Sequence, residues 1–534
     1  MKLYNIKNAA ESAANNYLRF NDENLHNIPY FYAFFGSGGA VAHHDQWDFG
    51  DATGRYLDAL VLCRKAMGEN TPCETEDKYY RALKWMISLG KNGLCYRPDG
   101  YDFVSGGVNT FDIRSALLGL ITYYNSVKNG EVLEVIKTMI RGLVSIGIDI
   151  DDYFYIPVAY YDPHMVIEHR HYDIVSNKAD PCHYGGGVHI FPLMMCYEIL
   201  KDDKILVLCG KLVNFIIKYS GAFEEDGSFF VTGHFAGEDG HFHSRMSTVL
   251  GILCYAVKTD DKDMAAWCEK AYRFAKSQGT SYGFFPEGLG KKPLHNVPGE
   301  YPDVARHTEI CCTADMINIA ILLSENGYDY YNDAERFANQ LFKSQLNDIS
   351  DINYFKDISR KKDDTASCSY KNVAERYSGA FLGRTMANDL LNNGRYDNMG
   401  CCAAAGGRGI WTLWNYALTQ KDGTAFLNLW FDVENDTGTV KITENDGLFT
   451  LTVLLKTKTD YELKIRIPER IDIKSIIFNK NTAEITYEMK NEVTTEMLCG
   501  EPLTVTWRGN YVVDISPKGI IPLYDNTNKS KGAL

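Results

Sequence analysis

No run of about 18 apolar residues, the length a membrane-spanning helix needs, occurs anywhere in the 534-residue chain. The N-terminus, Met1-Lys2-Leu3-Tyr4-Asn5-Ile6-Lys7, lacks the apolar segment of a secretion signal. Basic charge is also scarce. There are 55 Lys and Arg against 69 Asp and Glu, a formal net charge of −14, with no basic run. Nucleic acid and anionic membrane are therefore excluded as expected partners, because phosphate binding needs a basic surface. The Gly-rich stretch Phe34-Phe35-Gly36-Ser37-Gly38-Gly39 is not followed by Gly-Lys-Ser/Thr and makes no phosphate loop. Aromatics and cysteines, in contrast, are plentiful. Aromatics make up 13% of the chain, 35 of them Tyr. They build a core, or they line a groove in which ring faces stack on the C–H faces of a sugar. Fourteen cysteines without a secretion signal point to a reducing, cytoplasmic setting, where they are buried hydrophobes, metal ligands or reactive thiols. Cys63, Cys196 and Cys254 fall on apolar helical faces and are expected in the core.

The chain is long enough for two or three domains. Residues from about 7 to 19 read as a short amphipathic helix. From Asp51 to about residue 419, apolar residues recur at i, i+3 and i+4 in twelve stretches, which start near Ala52, Glu76, Phe111, Glu131, Val188, Asp203, Ser244, Lys262, Cys311, Asp333, Val373 and Ala404. Connections alternate in kind. Within a pair they are short and polar, as in Lys201-Asp202-Asp203, and between pairs they are long and rich in Gly, aromatics, His and acids. Six successive helical hairpins close into an (α/α)6 toroid, with the N-terminal loops of the inner helices at one end. Those loops carry Trp47-Asp48, Gly106-Gly107-Val108-Asn109, His183 to His189, His241 to Arg245, His307-Thr308-Glu309 and Gly400-Cys401-Cys402. The concentration of His, Cys and Trp there predicts a shared pocket. After about residue 421 the period becomes two, in segments such as Phe426-Leu427-Asn428-Leu429 and Tyr461 to Ile467. This predicts an antiparallel β-sandwich over 421–525, after a helical domain of 1–420 and before a frayed tail at 526–534.

Two cysteine pairs stand out, Glu309-Ile310-Cys311-Cys312 and Gly400-Cys401-Cys402. Glu309, Cys311, Cys401 and Cys402 together offer one carboxylate and three thiols, a set suited to tetrahedral Zn²⁺, although the spacing is no zinc-finger signature. Both pairs are expected at helix N-termini, where the dipole and a bound cation lower a thiol pKa and make a thiolate nucleophile available. For acid–base work, Glu287 lies in the aromatic segment Gly283-Phe284-Phe285-Pro286-Glu287-Gly288, whose apolar surroundings would raise its pKa. Glu300 in the same linker is its rival. His189, His241 and His243 are candidates to bind substrate hydroxyls, with His183 and His234 as alternatives. Trp47 and Asp48 offer a sugar platform and an acceptor.

Glu309-Ile310-Cys311, opening a helix, resembles the Glu-Thr-Cys motif of the β-L-arabinofuranosidases of glycoside hydrolase family 127. Gly400-Cys401-Cys402 with Arg408 six residues on is similar to that family's Cys-Cys-x-x-Asn-x-x-Arg segment. Trp47-Asp48, Gly187-Val188-His189, His243-Ser244-Arg245 and the strand Leu463 to Ile467 resemble further family segments. Three positions depart from it: Ala405 stands where the family has Asn, Ile310 replaces Thr, and Cys312 is an extra thiol. The resemblance implies an (α/α)6 barrel followed by a β-sandwich. It implies zinc held by Glu309, Cys311, Cys401 and Cys402, Cys401 as nucleophile and Glu287 as acid/base. The reaction it implies is retaining hydrolysis of an L-arabinofuranoside-like end group. Two other readings remain open: a metal-free uronyl hydrolase, lyase or epimerase on the same toroid, and a glycan-binding protein without turnover. A homodimer is compatible with all three.

Overall fold

The computed structural model describes residues 4–36, 39–232, 234–235, 239–289, 307–347, 363–387, 396–456, 462–479, 481–498 and 501–517. Glu300 and the 526–534 segment lie outside the described residues.

Helices α1 (Ile6–Arg19), α2 (Gly50–Ala66), α3 (Glu74–Ser88), α4 (Thr110–Val127), α5 (Gly130–Ser145), α6 (Ile190–Leu200) and α7 (Asp203–Asn214) make up the first part. They are followed by α8 (Phe242–Thr259), α9 (Lys262–Ser277), α10 (Ile310–Glu325), α11 (Tyr331–Lys343), the single turn α12 (Val373–Tyr377) and α13 (Gly400–Ala417). Three hairpin turns share one construction. Lys128, Lys201 and Asp260 end α4, α6 and α8 in the left-handed region, at φ of 51°, 50° and 56°. The next residue, Asn129, Asp202 or Asp261, caps the following helix by accepting a backbone N–H. This is why so few polar residues suffice within a pair.

Helices α2, α4, α8 and α10 are buried on almost every side, whereas α3, α5 and α9 bury one stripe. Contacts run from α2 to α4, α6, α8, α10 and α13, and from α13 back to α2. The expected sixth pair is corrected by this circuit. The segment starting at Val373 makes only five helical residues, and α1 lies against α13 and α2 instead. The small residues of α13 permit that approach. Tyr17 of α1 donates to the Ala403 carbonyl at 2.6 Å, and a Cβ on Gly407 would stand 2.4 Å from the Tyr17 hydroxyl. At the α2–α4 crossing, a Cβ on Gly54 would lie 2.3 Å from the Ser115 carbonyl oxygen.

Over the N-terminal ends of the inner helices lies a six-stranded sheet that the sequence pattern did not show. Its order is Cys368–Ser369, Gly39–His43, Tyr32–Gly36, Tyr396–Met399, Arg384–Thr385, Thr308–Glu309. The strands have two to five residues each and come from separate loops, too short and scattered for a period-two signal. The sheet sets Arg384 directly opposite Glu309.

From Leu418 to Pro517 the chain is β-structured, as its period predicts, in sheets of three, five and three strands. One pairing departs from the antiparallel expectation: Thr424–Leu427 runs parallel to Glu462–Ile465. The apolar core is continuous from the helices into these strands, through Phe342, Trp430, Phe431 and Tyr487. Buried Glu335 ties the two parts together by accepting the Trp430 N–H at 2.6 Å and pairing with Arg466.

Candidate active site

A cavity of about 120 Å³ opens at the N-terminal ends of the inner helices. Six helix starts contribute to it: Trp47, Asp51 and Arg55 at α2, Phe111 at α4, His183 ahead of α6, His241 and His243 at α8, Glu309 at α10, and Met399 and Cys401 at α13. Phe31 and Tyr32 add an aromatic wall, and Glu287 and Arg384 complete the rim. The shared pocket expected from the loops is therefore present.

Glu309 is the N-cap position of α10 and Cys311 lies in its first turn, while Cys401 and Cys402 lie in the first turn of α13. The Sγ atoms of Cys311, Cys401 and Cys402 all lie within 4.8 Å of one another, with Cys311–Cys402 at 3.6 Å and Cys401–Cys402 at 3.8 Å. Cys311 and Cys402 are buried, and Cys401 is partly open to the cavity. Burial opposes charge on Cys311, but hydrogen bonds from the Cys401 and Cys402 thiols and the Arg55 guanidinium outweigh it and bring Cys311 down to about 6. The hydrogen bond to Cys311 in turn pushes Cys401 well up, and burial does the same to Cys402. Cys312 is wholly buried and is pushed up by burial, in keeping with a packing role.

Glu309 does not belong to that 4.8 Å group. Its Oε2 is 3.1 Å from His241 Nε2. Burial, and then repulsion by Glu287, raise its pKa to about 8. A tetrahedral Zn²⁺ with bonds of about 2.3 Å to sulfur spaces its sulfurs about 3.8 Å apart, so the observed separations fit such an ion. Glu309, beside the same cavity, is available as the fourth donor.

Glu287 lies at the cavity rim, but its pKa is not raised as expected. Its surroundings are ionic rather than apolar: Arg384 donates through Nε and Nη2 at 2.9 and 2.7 Å, and His307 Nε2 hydrogen-bonds Oε2. Burial acts against the charged form, but these partners hold the carboxyl well below the usual carboxylate range. Of the carboxyls that line the cavity, Glu309 is the one whose pKa is raised.

Asp48 and His189 do not line the cavity. Asp48 is buried and accepts from the Phe31 N–H at 2.6 Å, with His44 Nδ1 2.6 Å from its other oxygen. His189 Nε2 donates to the Thr110 carbonyl at 2.8 Å inside the helical core. Both are buried polar residues committed to backbone partners. Trp47 lines the cavity, with the Arg97 guanidinium 4.9 Å above its ring. His243 also lines it, but both ring nitrogens are engaged, with Asp315 at 2.6 Å and Arg55 at 3.2 Å. Arg55 further bonds Asp51 at 2.6 Å and reaches Cys311 at 3.9 Å. Arg55 and Arg384 were not singled out from sequence. Arg55 sits inside a strongly helical stretch and Arg384 in an irregular loop, and no local pattern distinguishes either.

Compared as a sequence, the chain matches no protein-family model and no curated protein. Compared as a structure, it is similar to a GH127 β-L-arabinofuranosidase from Geobacillus stearothermophilus T6, at 13% identity and a TM-score of 0.52, covering 95% of this chain and 80% of that one. A second GH127 β-arabinofuranosidase aligns at 12% identity with a TM-score of 0.57, over 94% and 78% of the two chains. A sugar epimerase from a ruminal bacterium aligns over 74% of this chain and 93% of its own, at 12% identity and a TM-score of 0.50. At these identities the likeness is one of fold, and that fold is GH127-like over both the helical and the β-structured parts.

Proposed function

We propose that this chain is a retaining glycoside hydrolase, exo-acting on L-arabinofuranoside-like end groups, with Cys401 as nucleophile. The observation that carries the reading is that, of the three clustered sulfurs, Cys401 alone lines the aromatic-walled cavity. The GH127-like fold and the circuit of inner helices support an (α/α)6 toroid over 1–420, followed by a β-domain over 421–525.

In the first step Cys401 passes its proton to the Cys311 thiolate that it hydrogen-bonds, and its Sγ attacks the anomeric carbon. A C–S bond forms, the glycosidic C–O bond breaks, and the leaving oxygen takes a proton. That proton is delivered through Glu287 and its hydrogen-bonded neighbour His307 at the cavity rim. In the second step water attacks the same carbon and Glu287 takes its proton. The C–S bond then breaks, Cys401 recovers its proton from Cys311, and configuration is retained. Arg384 orients Glu287 throughout, and Phe31, Tyr32, Trp47 and Phe111 supply the faces on which a sugar ring rests. A zinc ion held by Cys311, Cys401, Cys402 and Glu309 would, when bound, keep the sulfurs deprotonated and their geometry fixed.

Purified protein is expected to carry about one zinc per chain and to release 4-nitrophenol from the β-L-arabinofuranoside. Cys401→Ala is expected to abolish that release. Full activity in this variant would sink the reading. The epimerase-like fold and the histidines around the cavity favour a metal-free isomerase as second reading. It predicts an epimerised free sugar as product and indifference to thiol alkylation.

A further inference from the structure

A second cavity, of about 440 Å³, lies where the helical part meets the β-structured part. It shares no lining residue with the active-site cavity. Lys7 stands in the first turn of α1, Lys65 and Ala66 end α2, and Met67, Gly68 and Asn70 follow that helix. Trp414 comes from α13, and the turn Val433 to Asp436, with Lys456, closes the space from the β side. A volume of several hundred Å³ suits a small molecule rather than a protein surface.

The lining side chains divide by whether their bonding capacity is already used. Asn435 is spent on the turn: its amide donates to the Leu418 carbonyl at 2.8 Å, and its side-chain oxygen accepts from the N–H groups of Thr437 and Gly438 at 3.0 and 3.3 Å. Lys456 pairs with Glu434 at 3.1 Å. The Trp414 indole N–H donates to the Glu434 carbonyl at 2.8 Å, which fixes the ring. That ring is half-buried, packs against the apolar core and lines the cavity with the rest of its surface. Among the described residues, Lys7, Lys65, Asn70 and Asp436 have no side-chain hydrogen bond or ion pair. With Lys456 and Glu434 cancelling, two ammonium groups and one carboxylate remain, a net of +1 on a chain whose formal charge is −14. Burial, with Arg64 and Lys128 nearby, works against the charged form of Lys65. An anionic partner would restore it.

We propose that this cavity is a second, non-catalytic site that binds a carboxylate-bearing sugar of single negative charge. The C–H face of the sugar rests on Trp414, its carboxylate is held by Lys7 and Lys65, and its hydroxyls bond Asp436 and Asn70. The groups argue for this ligand jointly. A neutral sugar leaves two ammonium groups without a counter-ion, and a bare anion leaves the indole uncovered and meets the Asp436 carboxylate. The site is independent of the hydrolytic chemistry.

The test is calorimetric titration of the full-length protein, wild type and Cys401→Ala, with sodium D-galacturonate, sodium D-glucuronate, D-galactose and sodium acetate at low ionic strength. At least one uronate is expected to bind roughly tenfold more tightly than galactose or acetate, equally in both proteins, and to weaken as salt is added. Lys7→Met and Lys65→Met are each expected to weaken it about three- to fivefold, and Trp414→Ala about tenfold. Should Trp414→Ala not fold by circular dichroism, the two lysine variants decide. The proposal is overturned if neither uronate binds, if galactose or acetate matches them, if both lysine variants bind as the wild type does, or if binding disappears with Cys401→Ala and so belongs to the active site. Failure of the glycosidase reading would show instead as absent turnover in the wild type, with uronate binding intact.

Discussion

Removing the Arg384 guanidinium, as in Arg384→Met, releases Glu287 from its bidentate pair. Two charge-assisted hydrogen bonds at 2.7 and 2.9 Å are lost, and the His307 contact remains. Bonds to charged groups contribute about 1.5–3 kcal/mol each in a buried setting. The side chains here are 28% and 18% exposed, so solvent screening reduces the pair to about 1–2 kcal/mol in total. Glu287 has a depressed pKa in the folded protein. Its contribution is therefore present above the unfolded carboxyl pKa of about 4.3 and is lost as pH falls through the folded value. Urea unfolding of wild type and Arg384→Met should differ by about 1–2 kcal/mol at pH 7, and the gap should narrow below about pH 4.3. The same loss of about 1.36 kcal/mol per pKa unit moves the acidic limb of the kcat/KM profile upward by about one unit. A gap independent of pH, together with superimposable acidic limbs, would refute the ion-pair argument and leave Arg384 a packing residue.

The thiol cluster makes a second prediction. Chelation followed by dialysis should destabilise the wild type thermally and expose Cys311 and Cys402 to alkylation, while Cys312→Ala should leave zinc content unchanged. At α2, Gly54→Ala tests close packing against propensity. Helix propensity favours Ala by about 1 kcal/mol. The Cβ would nevertheless stand 2.3 Å from the Ser115 carbonyl, and overpacking of that kind costs about 1–3 kcal/mol, so calorimetry should show net destabilisation. His44 gives a pH signature. Burial opposes its charge, but Asp48 and Asp22 overcome this and raise its pKa to about 9. Its stabilising effect over His44→Gln should be complete below about pH 6.5 and fade as pH rises to about 9.

Sequence alone determined the helical hairpins, the switch to β-structure and the six loops that build the cavity. These follow from local rules: apolar period, and cap residues such as Asn129 and Asp202. It also singled out Cys311, Cys401 and Cys402, because paired thiols at helix starts are conspicuous in a one-dimensional reading. Tertiary structure alone decided which polar residues face the cavity. Asp48 and His189 sit next to Trp47 and Val188 in sequence, yet point into the interior, where the Phe31 N–H and the Thr110 carbonyl need partners. The Glu287 pKa is lowered rather than raised by His307 and Arg384, 20 and 97 residues away in sequence. The replacement of the expected sixth outer helix by α1 depended on contacts between the two ends of the helical region. Period and capping are set by neighbours along the chain. Side-chain direction and charge at the cavity are set by groups that only folding brings within a few ångströms.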